Sequence, residues 1–219
     1  MEKEIIINKT IEFVKDTLKN SEGGHDWWHI YRVWKNAQNI LKNETGADYL
    51  TVELGALLHD IADSKFHNGN EDIGPKTARD FLLSLKIDNG VISHVENIIR
   101  HISFKQSFEG GRKFKSLELD IVQDADRLDA LGAIGVARAF NYGGYKNRPF
   151  YNPEIEPNLN MTKEEYKKNV GTTINHFYEK LILLKDLMNT GSGKILAEKR
   201  HEFLENYLNQ FHAEWNGEV

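Results

Sequence analysis

The chain has 219 residues, with 28 Lys and Arg against 33 Asp and Glu, a formal net charge of −5, 40% hydrophobic residues and no cysteine. That apolar content fills one substantial core, and the length fits one domain or at most two. The missing thiols exclude thiolate zinc sites, cysteine nucleophiles and a disulfide framework, while the acidic balance argues against broad nucleic-acid binding.

The opening segment Met1-Glu2-Lys3-Glu4-Ile5 has no basic region leading into an apolar one, and no run approaches the ~18 apolar residues of a membrane span. The expectation is a soluble, unexported, cytoplasmic protein. Helical periodicity predicts helices over about 5–20, 24–43, 49–63, 75–86, 88–102, 115–140, 162–188 and 193–211, with no convincing alternating strand between them. The class is therefore all-α. Asn68-Gly69-Asn70, Gly74-Pro75, Gly110-Gly111 and Gly191-Ser192-Gly193 punctuate the chain. There is no internal repeat, low-complexity run or long linker. The reading is one domain over 1–219, with a motif-bearing core over about 20–150 and C-terminal helices over about 162–211 packed on it.

In the second predicted helix His25, His29, Arg32, Val33 and Asn36 share one face. Trp27 and Trp34 recur seven residues apart on another face, as core residues do. Trp28 is assigned to the core too, covering the site or stacking on a base being its other use. In the third helix Val52, Gly55, Ala56, His59, Asp60 and Asp63 form a single stripe, small residues first and ligand-type residues last. The small residues let another helix approach closely. At the polar end, unpaired buried imidazoles and carboxylates would cost roughly 1–3 kcal/mol each, so a partner is required. Asp63, one turn after the His-Asp pair, is the candidate general base or water-orienting group, a helix cap being its other reading.

In the helix over 115–140, Val122, Ala125, Asp126, Asp129 and Ala133 share a face, while Asp124 falls with Leu128 and Leu131. Asp126 is the preferred ligand and Asp124 the fallback. His29, His59, Asp60 and Asp126 thus outline a metal site in which three helices bring two imidazoles and two carboxylates to one point. A six-coordinate ion there would keep two positions open. These donors suit manganese, iron, zinc, nickel or cobalt, whereas magnesium more often takes an all-oxygen shell.

Lys65, His67, Arg100, His101, Lys105 and Arg112 follow two of the helices and could meet phosphate oxygens. Lys65 and His101 are the preferred contacts, because each follows an apolar helical stretch that would fix it. Arg112, Lys113 and Lys115 read as solvated surface charge. His25, one turn before His29, is a candidate for substrate or outer-sphere contact. His94 and His101, seven residues apart, could instead add a second metal. The longest irregular stretch, about 141–161, contains Gly143-Gly144-Tyr145, Lys146 and Arg148. It is either a surface connection or a binding segment, with Tyr145 as an aromatic for a base and Arg148 as a cation for phosphate. Leu181, Ile182, Leu184, Leu187 and Met188 read as ordinary helix packing.

The ordered set His29, His59-Asp60 and Asp126 resembles the HD-domain metal-dependent phosphohydrolase superfamily. The His25-Asp26-Trp27-Trp28-His29 opening, with Arg32-Val33, and Asp124-Ala125-Asp126-Arg127-Leu128-Asp129-Ala130 look like the small bacterial YpgQ/YedJ-like subgroup. These motifs lie within residues 24 to 150. The resemblance implies an all-helical HD fold and one divalent ion held by the four named positions. It further implies hydrolysis of nucleoside triphosphates to monophosphate and pyrophosphate, with manganese favoured. Other outcomes within this reading are a nucleotide monophosphatase or phosphodiesterase, a binuclear HD oxygenase, and a non-catalytic metal- and nucleotide-binding sensor. The expected partner is a small-molecule nucleotide; the sequence says nothing of oligomeric state.

Overall fold

A computed structural model describes residues 2–19, 21, 24, 26–62, 70–102, 114–159 and 171–219. Among them the regular elements are helices and no strand is present, as expected for the all-α class. No helix among them is long and apolar enough to cross a membrane. The chain divides into two compact units, residues 1–126 and 127–219.

The first unit contains α1 (Lys3–Thr17), α2 (Trp27–Leu41), α3 (Tyr49–Leu58), α4 (Ile73–Ser84) and α5 (Asn89–His101), and most of α6 (Leu117–Asp129). Helix α3 packs against α1, α2 and α5. Every residue from Thr51 to Leu58 is buried, as suits a helix apolar nearly all round. Its one charged residue, Glu53, is matched by Lys3 Nζ at 3.2 Å and Gln38 Nε2 at 2.9 Å. Gly55 lets the helices close in: a Cβ there would stand 3.0 Å from Ile98 Cδ1 and 3.4 Å from Val122 Cγ2, which realises the close approach read from the Gly-Ala stripe.

Asp side chains start three of these helices. Asp26 accepts from the His29 amide at 2.9 Å, Asp48 from Thr51 at 2.7 Å and Asp88 from Gly90 at 2.7 Å, each satisfying an amide the helix leaves without a partner. The core joins Ile30, Leu54, Leu57, Leu58, Leu82 and Val95, with Trp27 and Trp34 packed against it. Trp28 departs from its core assignment and is 60% exposed, because it precedes the buried His29 and faces away from the packed side.

Helix α3 also ends earlier than the expected residue 63. It stops at Leu58, with His59 as its C-cap, and Ile61 N–H bonds Leu58 O at 3.2 Å in a tighter turn. The His59 ring is one cause: its Nδ1 lies 2.8 Å from Ala56 O, the carbonyl that the next helical amide would use.

The second unit begins with the end of α6, followed by α7 (Gly132–Tyr145). The single helix expected over 115–140 is thus two, broken where Leu131 is extended (φ −114°, ψ 161°) and Gly132 takes φ +67°. Only glycine adopts that left-handed conformation freely. The carbonyls freed at the break are satisfied: Arg200 donates to Leu128 O, and Arg138 Nη1 reaches Asp129 O at 3.3 Å and Asp129 Oδ2 at 2.9 Å. Arg127 donates to Leu187 O. Burial pulls the Arg200 guanidinium below the usual range, with the Asp129 carboxylate acting in opposition.

The irregular stretch expected from residue 141 begins only after Tyr145, since Gly143 and Gly144 continue α7. Gly143 is where Thr173 comes close: a Cβ there would lie 2.2 Å from Thr173 Oγ1. Next come α8 (Thr173–His176), a π turn over Phe177–Leu181 and a 3-10 stretch over Ile182–Leu187. Leu181, Leu184 and Met188 are buried, as their packing assignment required. Helix α9 (Gly191–Asn216) packs on α7 and on the 3-10 stretch, and Phe177 stacks with Tyr207 at 5.8 Å.

Candidate metal centre

Three side chains from three helical elements meet in the first unit. His29, two residues into α2, is 2% exposed, and His59, at the end of α3, is 7% exposed. Their Nε2 atoms are 3.3 Å apart and their rings meet nearly edge-on. Asp126 on α6 completes the group, its Oδ1 3.5 Å from His29 Nε2 and 3.9 Å from His59 Nε2, with its side chain 38% exposed. The donor atoms all lie within 4.8 Å of one another.

Local sequence holds each donor in place. The Asp26 cap bonds the amide of His29 itself, so the first turn of α2 is fixed at the residue it presents. The bond from His59 Nδ1–H to Ala56 O leaves the Nε2 lone pair free to point into the group. Asn36, two turns along α2 from His29, donates to Ala125 O at 3.1 Å, next to Asp126. That bond ties the helix carrying one ligand to the helix carrying another.

These donors fit a divalent ion. Two atoms each about 2.1 Å from one ion are about 3.0 Å apart at right angles and about 3.4 Å apart at tetrahedral angles. The two imidazole nitrogens at 3.3 Å fall inside that interval, and Asp126 is near enough to close on the same point. Two neutral imidazoles and one carboxylate leave a divalent ion with net positive charge for an anionic ligand. The partial exposure of Asp126 gives that side of the group access to solvent.

Residues 27–131 match the HD domain family. A 205-residue alignment with YpgQ of Bacillus subtilis is 34% identical and covers 94% of this chain and 91% of that protein. The chain belongs to the HD-domain family. It is a metal-dependent phosphohydrolase of that superfamily. The structure of an HD-superfamily hydrolase from Bacillus thuringiensis is 43% identical to this chain and superposes with a TM-score of 0.77, covering 98% of this chain and 99% of that one. A structure from Lactobacillus plantarum, 37% identical, gives a TM-score of 0.82 over 99% of this chain and 100% of that one. YpgQ with ADP gives 0.77 at 33% identity, over 98% and 97%.

Of the residues proposed from sequence as ligands, His29, His59 and Asp126 come together. Asp60 sits half-buried in the turn after α3 with an interaction of its own and is not one of the three grouped donors. Asp124, the fallback, is fully buried and has its own partners. His25, Asp63 and Lys65 lie outside the described residues.

His101 is anchored through Nδ1 to Asn97 O at 2.8 Å, its ring beside Phe114. His94 is held by Ser116 Oγ at 2.8 Å and Glu118 Oε2 at 3.4 Å. Among the described residues these two histidines form no second metal-ligand group. In the second unit, Tyr145 is exposed and lies 6.4 Å from Tyr142, with Lys146 Nζ 5.0 Å over its ring and Arg148 5.8 Å over Tyr142. Sequence reasoning placed Asn36 on the His29 face but gave it no role, and gave none to Asp26 as a cap. The cap could have been found from an Asp just before an amphipathic run; the Asn36 bond spans 89 positions and leaves no local signal.

Proposed function

We propose that this phosphohydrolase cleaves nucleoside triphosphates to the monophosphate and pyrophosphate by attack of water, using one divalent ion, manganese in preference. The observation that carries the reading is the convergence of His29 Nε2, His59 Nε2 and Asp126 Oδ1 within 4.8 Å. ADP bound in the YpgQ structure supports a nucleotide as the ligand class.

His29 and His59 hold the ion with neutral imidazoles, and Asp126 supplies the charge that balances it. Asp60, one residue after His59, is the proposed fourth ligand. When bound, the ion would polarise a phosphate oxygen and lower the pKa of water. Asp63 orients that water and takes its proton. His25, Lys65, His101, Tyr145 and Arg148 are the proposed substrate contacts, cations and imidazoles for the phosphates and Tyr145 for the base. The whole chain is taken as one functional domain, since relatives match across nearly all of it.

The test is product analysis after metal-free protein is incubated with each nucleoside triphosphate, separately with manganese, magnesium, zinc and iron. Monophosphate and pyrophosphate in equal amounts, lost in His59→Ala and Asp126→Ala, is the expected result. Single phosphate as the product would redirect the reading to a phosphatase. No turnover with any metal would overturn it.

A further inference from the structure

The second unit holds an open cavity of about 320 Å³ lined by Tyr151, Ile155, Glu156, Asn175, Tyr178 and His212, among others. Most of its polar groups are already committed. Asn175 Nδ2 donates to Ile155 O at 2.8 Å, and the Tyr178 hydroxyl lies 3.0 Å from His212 Nε2. The Glu156 carboxylate and the Tyr151 hydroxyl have no hydrogen bond or ion pair among the described residues.

Three of the lining residues, Tyr151, Tyr178 and His212, bring aromatic rings. The Tyr151 ring meets His212 edge-on at 5.3 Å, and the Tyr178 ring is 6.4 Å from the same imidazole on a tilt of 31°. No Lys or Arg is among the described residues that line the cavity. Burial, with Tyr151 nearby, pushes the Tyr178 phenol above its usual range, so it stays uncharged.

Aromatic faces present negative potential, and a carboxylate beside them adds a full charge. An anion would face the Glu156 carboxylate with no Lys or Arg among the described lining residues to offset it. A neutral apolar ligand would gain nothing from that charge. An alkylammonium satisfies both the rings and the carboxylate, which is the chemistry of aromatic cages. We propose that the cavity formed by Tyr151, Tyr178, His212 and Glu156 binds a small organic ammonium ion. The inference does not rest on the metal centre or its reaction.

The experiment titrates the full-length protein with choline, with n-butylammonium and with 3,3-dimethylbutan-1-ol, the uncharged isostere of choline, read by ligand-observed NMR and calorimetry. Saturable choline binding about tenfold tighter than that of the isostere is expected from the charge on the ring faces. Glu156→Gln should weaken it several-fold, and Tyr151→Leu more. A stronger response to n-butylammonium than to choline would assign the cage to primary amines such as a lysine side chain, within the same chemistry. Equal affinity for choline and its isostere, or unchanged affinity in Glu156→Gln, would overturn the proposal, as would no saturable binding by any of the three probes. Glu156 is exposed and bonds nothing among the described residues, so that variant stays informative if Tyr151→Leu does not fold.

Discussion

Asp124 and Asp126 stand two residues apart on α6, a spacing that turns their side chains to opposite faces, one fully buried and the other open to the imidazoles. The consequence is unequal sensitivity. Asp126→Asn should lower metal-dependent turnover by at least about a hundredfold with little change in unfolding midpoint, because it removes a ligand charge from a partly exposed position. Asp124→Asn should act on stability first, because it changes a fully buried polar group. Turnover and urea midpoints measured on both variants separate the two, and equal turnover losses with equal midpoints would contradict the assignment.

Asn36→Ala should weaken metal binding by about tenfold, the usual effect of removing a residue that orients a ligand. It should also shrink the metal-induced rise in melting temperature more than it shifts the metal-free value, which a merely structural asparagine would not do.

At this scale the sequence was most legible where chemistry is dense. The grouping of His29, His59 and Asp126 could be read because each places a ligand-type side chain on a helical stretch whose remaining face is apolar. Trp28 was misread because an aromatic on an amphipathic helix is core by default, and a single position decides which way it turns. The Asp129–Arg138 pair, formed across the corner between α6 and α7, has no signature in spacing.

The helices themselves followed their periodicity, and their ends did not. Ala130-Leu131-Gly132-Ala133 contains good helix formers around one glycine, so nothing local announced that Gly132 would take φ +67° and split the run. Gly132→Ala should cost roughly 1–2 kcal/mol in backbone strain. It should also crowd Arg200, whose Cγ would lie 3.2 Å from the new Cβ. Urea denaturation reads this, and an unchanged midpoint would mean the turn is not what fixes α7.

The start of α2 was the opposite case, since Asp before an apolar-periodic run is a readable cap. Asp26→Ala should destabilise the fold by about 1 kcal/mol. Because the lost bond ends on the His29 amide, metal affinity should fall as well; a stability loss with unchanged metal affinity would limit Asp26 to capping.

For the whole molecule, pH acts through at least one group far along the chain from the ligands. Burial, then Lys180 and Arg148, pushes the His176 imidazole from 6.5 down to about 3. The unfolded chain therefore takes up a proton as pH falls through 6.5, and the folded one does not until about pH 3. Stability from this group is whole above 6.5 and is lost progressively between 6.5 and 3. Melting temperature against pH should fall less steeply in His176→Gln than in the parent over that window; parallel curves would show that His176 is not the group.

The termination of α3 at Leu58 also bears on the order in which ligands should arrive. A helix carboxyl end carries about half a negative charge, and here it closes directly onto the nitrogen of His59 beside the Asp126 carboxylate. In a chain of net charge −5, that end repels a triphosphate and attracts a cation. Nucleotide should therefore give no heat on titration into metal-free protein and should bind only after the divalent ion, so that the ion is what makes the site receptive to an anion.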